Sequence, residues 1–129
     1  MRVLAGGFFI EVLLAIVLIG GFAAASVDLA KGVSTTSAVI IGLGAFFGAF
    51  VVVWWLAHGI ERHLVLHGLL MGVVATLLYL GMVAGAGQMS AALAAYGPAT
   101  FVILNAARLL GAVLGGAARE RRKVVRAVM

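Results

Sequence analysis

SAVIIGLGAFFGAFVVVWWLAH, residues 37–58, contains no Asp, Glu, Lys or Arg. Wound as an α-helix it is roughly 33 Å long, enough for a hydrocarbon core about 30 Å thick. It is apolar all round, with glycines among the Phe and Val residues. A helix with no polar face belongs in a protein core or in lipid. The chain is too short for the first. At 129 residues and 65% apolar it has more apolar surface than a soluble domain of its size can hide. The mean hydropathy is +1.26. Such a composition excludes an ordinary cytosolic enzyme, a disordered tail and a nucleic-acid-binding domain.

Outward from this stretch the pattern repeats. Ser34, Thr35, Thr36 and Ser37 supply capping oxygens before it. After it, Gly59-Ile60-Glu61-Arg62-His63 reads as a tight polar turn. Three more apolar stretches follow the same length rule: 3–25, broken only by Glu11; 66–86, uncharged, with His67 near its start; and 98–118, carrying Asn105 and Arg108. Gly97-Pro98 sets Pro at a first helical position. Residues 26–36 and 87–97 are the other connections, and Met89 to Tyr96 is apolar enough to lie on the membrane surface as a short helix. Ala23-Ala24-Ala25 before Ser26 has the look of a signal-peptidase site. The long apolar region, Glu11 within it and the single Arg2 ahead of it favour a first span instead. The expected fold is all-α: an integral membrane four-helix up-down-up-down bundle over 1–118, followed by a basic cytoplasmic tail over 119–129.

Charge gives the orientation. The net charge is +5, and five of the nine basic residues are Arg119, Arg121, Arg122, Lys123 and Arg126. These are expected to contact anionic lipid headgroups. With both termini on one side, that side also holds Arg2 and Arg62, whereas the other holds Lys31 beside Asp28. The positive-inside rule puts both termini and the turn in the cytoplasm, and in a bacterium the home is the inner (plasma) membrane.

Glu11 and Arg108 are the informative charges, because a charge inside a span costs several kcal/mol unless paired or hydrated. Counted from the cytoplasmic ends they lie about 12 and 15 Å deep. Each shares a helix face with small residues: Gly7 and Ala15 beside Glu11, Gly111 and Gly115 beside Arg108. An ion pair between the first and fourth spans is expected, with Asn105 satisfying a remaining donor or acceptor. Small-xxx-small pairs recur at Gly44/Gly48, Gly68/Gly72, Gly81/Gly85 and Gly111/Gly115. They are read as packing within the bundle, with a homodimer seam or a larger membrane complex as the sharper alternative.

His58, His63 and His67 cluster near the turn. The spacing of His63 and His67 can place two imidazoles on one face, so metal or haem binding through the three is an alternative to an interfacial hydrogen-bonded cluster. Trp54, Trp55, Tyr79 and Tyr96 read as belt or packing aromatics. There are no cysteines, and no Ser/His/Asp set lies at one depth. No cofactor and no enzymatic chemistry are expected.

From Ala57 to Leu80 the chain reads AHGIERHLVLHGLLMGVVATLLYL. Its His67-Gly68-Leu69-Leu70-x-Gly72 opening, and the glycine-rich finish Leu110-Gly111-Ala112-Val113-Leu114-Gly115-Gly116, resemble the YrzE-like group of small four-span bacterial membrane proteins of unknown function. The likeness covers about a third of the chain and departs at Trp54-Trp55, where the group tends to have Gly. It implies fold and topology, and carries no activity. The resulting expectation is a non-enzymatic interaction or accessory component of a membrane assembly. The rival is a homodimeric proton- or cation-coupled transporter using Glu11, the device of small multidrug-resistance transporters.

Overall fold

A computed structural model describes residues 1–25 and 34–128, without the side chains of Arg2, residues 17–25, 95–96 and 126–128. The signal-peptidase-like Ser26, and Asp28 and Lys31 of the first connection, therefore lie outside the described residues. Among the described residues the chain is all-helical: α1 Arg2–Ala25, α2 Thr35–Leu56, α3 Leu64–Gly85, α4 Met89–Tyr96 and α5 Pro98–Val128. Three segments are long and apolar enough to cross a membrane: Thr35–Gly59, Leu64–Gly85 and Pro98–Val125. In α1 the described apolar stretch is Val3–Ile16.

The helix ends follow local chemistry. Ser34 is the N-cap of α2, its hydroxyl accepting from the Ser37 N–H at 3.1 Å. After α2 a single 3₁₀ turn, Ala57–Gly59, leads into the polar loop. The chain then reverses at His63, whose φ of 54° is left-handed. That His63 carbonyl accepts from the His67 ring Nδ1 at 2.9 Å and from the His67 N–H at 3.0 Å. Gly97, at φ 74°, separates α4 from α5 and takes a conformation that suits glycine.

α2 and α3 are joined by a tight turn yet barely touch. α5 packs along both of them, and α1 packs on α3 and α2 from the other side. Around the bundle the order is α1, α2, α5, α3, so α1 and α5 stand diagonally, as do α2 and α3. α5 continues past Ala118 without a break to Val128, so the basic stretch 119–128 is helical.

Glycines set this order. A Cβ on Gly111 would run into the Phe46 carbonyl oxygen, and one on Gly115 would lie 2.5 Å from that of Phe50. Those contacts bring α5 against α2 in parallel. Gly68 meets the Ala112 carbonyl and Gly116 the Leu64 carbonyl in the same intimate way, which seats α3 against α5 antiparallel. On α1, Gly6 and Gly7 lie against Met71 and Val74 of α3. Gly81 and Gly85 have open space where a Cβ would go, so this pair takes no part in packing among the described residues. The core between the helices is Ile10, Leu14, Ala45, Ala49, Val53, Leu64, Met71, Ala75 and Ala112. Most large apolar side chains, such as Phe47, Trp55 and Leu77, point outward.

Candidate functional site

Glu11 and Arg108 meet across that diagonal. Arg108 Nη1 lies 2.7 Å from Glu11 Oε1, and each side chain is 8% exposed. The contact is charge to charge, since neither atom makes an aligned hydrogen bond. Gly7, one turn before Glu11, lets α1 sit close to α3, and Gly111 and Gly115, after Arg108, let α5 sit close to α2. Ala15, placed on the same face of α1 by its spacing, is exposed. Close backbones bring the two diagonal side chains within reach of each other.

Tyr79 of α3 completes the surroundings. The Arg108 guanidinium carbon lies 4.9 Å from its ring centre, a cation–π contact worth about 0.5–2 kcal/mol as water is excluded. The ring in turn lies 5.9 Å from that of Phe101. In the sequence Tyr79 reads as a belt or packing aromatic. Its signal was a ring on an uncharged helix facing a cation that had to be satisfied.

Asn105 does not do what its spacing promised. Its Nδ2 donates to the Phe101 carbonyl one turn back at 2.8 Å, so it bonds its own helix rather than Arg108 or Glu11. Its Oδ1 and the Arg108 Nε are buried without a hydrogen-bond partner among the described residues. The centre thus keeps one spare acceptor and one spare donor beside a neutralised pair.

At the other end of α5 the basic residues divide into two faces. Arg119 is buried, and its guanidinium carbon lies 5.5 Å from the Trp54 ring centre, as does that of Arg122. Lys123 Nζ donates to the Ile60 carbonyl of the turn. These three cations clasp the end of α2 and the loop. Arg119, expected as a headgroup contact, is buried against the Trp54 ring. Arg121 lies on the outer face and is exposed, and the Arg126 side chain is outside the described residues.

His58 and His63 are exposed and His67 half-buried. Among the described residues no three His, Cys, Asp or Glu side chains gather as a metal site. The histidines instead shape the turn through the His67–His63 bond.

Comparison of the chain with family models, curated proteins and solved structures finds no match. The functional reading therefore rests on the geometry.

Proposed function

We infer that the chain is a four-span protein of the bacterial inner membrane with both termini cytoplasmic, a helical interaction or accessory component of a membrane assembly without enzymatic chemistry. α1, a helix of 24 residues, is the remaining span in this reading, in line with the resemblance to YrzE-like proteins. The observation that carries the role is the closed Glu11–Arg108 contact, 8% exposed on both sides. A pair already neutralised and shut away from water leaves no free carboxylate to carry a proton or bind a cation. What it does supply is register, because α1 and α5 can satisfy their charges in one alignment only. Pull-down from native membranes tests the role: a stoichiometric companion protein is expected, and its absence from membranes that hold the intact chain removes the accessory reading.

The transporter reading keeps one observation in its favour, the unpartnered Asn105 Oδ1 and Arg108 Nε beside the pair. Reconstituted protein would then take up protons with a substrate, and Glu11→Gln would abolish the uptake. On the scaffold reading no such uptake occurs.

A further inference from the structure

Asn105 follows Phe101 by one helical turn and Arg108 follows Asn105 by another, so the three share one face of α5. That face meets Tyr79 of α3, whose ring centre lies 5.9 Å from that of Phe101 and 4.9 Å from the Arg108 guanidinium carbon. Asn105 therefore stands between two side chains that converge on one ring. Its Nδ2 is committed to the Phe101 carbonyl, which leaves Oδ1 as a buried acceptor without a partner among the described residues. Arg108, 7% exposed, brings a buried donor in the same condition, its Nε–H. A long side chain on a helix lies back over the turn before it, so the Arg108 stem carries Nε towards the level of Asn105. Glu11 does not satisfy this donor, since it contacts the guanidinium at Nη1 and the Nε–H bond points along another edge.

We propose that a single trapped water molecule bridges Asn105 and Arg108, accepting from the Arg108 Nε–H and donating to the Asn105 Oδ1. The chemistry selects the occupant. One spare donor beside one spare acceptor calls for a small neutral group that both accepts and donates. An anion would suit Nε–H but would meet Oδ1 and the Glu11 carboxylate as like poles, and a cation would suit Oδ1 but would meet the guanidinium. Because Glu11 and Arg108 already balance each other, no net charge draws either ion in. Two groups orphaned in the interior each carry their full desolvation penalty, and buried waters characteristically satisfy such groups. Two hydrogen bonds through one oxygen span about 5.5 Å, close to the separation of side chains three residues apart on a helix. The guanidinium is then held by the acid on α1, the ring on α3 and a water on its own helix. Asn105 becomes a positioning residue of the charge pair without touching either member.

The inference rests on the scaffold reading, and the two fail differently. Substrate-driven proton uptake by the reconstituted chain removes that reading, whereas an Arg108 Nε–H that meets no water removes only this one. The experiment is solid-state NMR of the full isotope-labelled chain in bilayers, with polarisation transferred from water to the assigned Arg108 Nε–H. Transfer is expected in the parent chain and is expected to be lost in Asn105→Leu. Thermal melts in detergent give a second readout. With no bridging water, Asn105→Leu removes an unpartnered acceptor, and the midpoint holds or rises. With the water, the same change strands the Nε–H, and the midpoint falls. That fall is expected to vanish when Glu11→Leu and Arg108→Leu are also present, since no Nε–H is left to strand. The parent-chain transfer decides by itself should the variant fail to assemble. No transfer in the parent chain, transfer that survives Asn105→Leu, a midpoint that holds or rises, or an equal fall in both backgrounds would each overturn the proposal.

Discussion

Glu11 and Arg108 put the largest energies of the molecule into two side chains. Removing one partner strands the other in a low-dielectric interior, which costs about 3–5 kcal/mol, whereas replacing both by apolar groups of similar volume is close to neutral. Arg108→Leu is therefore expected to lower the thermal midpoint in detergent sharply, and Glu11→Leu combined with Arg108→Leu to recover most of the loss. Unaltered midpoints in the single variant would mean that the pair does not fix the bundle. The meeting of these two charges is legible in the sequence because each helix offers few ways to satisfy a charge in lipid. Asn105 was not legible in the same way. Its amide finds the Phe101 carbonyl of its own helix before it can reach a neighbour, and spacing alone does not rank those two options. Glycines separate just as clearly at this scale. Gly111→Ala is expected to destabilise, since its Cβ meets the Phe46 backbone, which cannot rotate away. Gly81→Ala, with open space around it, is expected to stabilise by about 0.5–1 kcal/mol through the entropy of the unfolded chain. Thermal melts of the two variants check both signs.

α5 is the element that most exceeds its sequence description. The apolar stretch ending at Ala118 is readable from hydropathy, and the basic run after it reads as a cytoplasmic tail in contact with lipid headgroups. What hydropathy does not report is that Trp54 stands at the same level on α2, ready to take Arg119 and Arg122 on its ring. With Lys123 bonded to Ile60, the last turns of α5 are tied down on one side. Trp54→Leu is expected to loosen them, and limited trypsin digestion should then cut after Arg121, Arg122 or Lys123 faster than in the parent chain. Equal digestion rates would show that the ring does not hold the extension. α2 and α3 were more transparent, since Ser34 and the Gly59–His63 turn announce their ends through capping and loop chemistry.

For the whole molecule, the helices themselves were more legible in the sequence than their neighbours, with the reach of α5 past Ala118 as the exception. A small-residue stripe says that a helix face packs closely, and says nothing of which helix it packs against. The ring of α1, α2, α5 and α3 is decided by backbone fits such as Gly111 on Phe46 and Gly116 on Leu64. Because the chain has no native cysteine, this arrangement can be tested cleanly. Cysteines at Gly42 and Leu104, a residue pair in contact between α2 and α5, are expected to cross-link under mild oxidation. Cysteines at matching depths of α2 and α3 are expected not to, and the reverse pattern would overturn the ring order.

The diagonal placement of α5 also bears on biogenesis. Most of the chain lies between Glu11 and Arg108, and the wedge that separates α2 from α3 is translated after both helices. Until α5 follows, Glu11 has no Arg108 to pair with. The Glu11–Arg108 contact can therefore form only once α5 has been made.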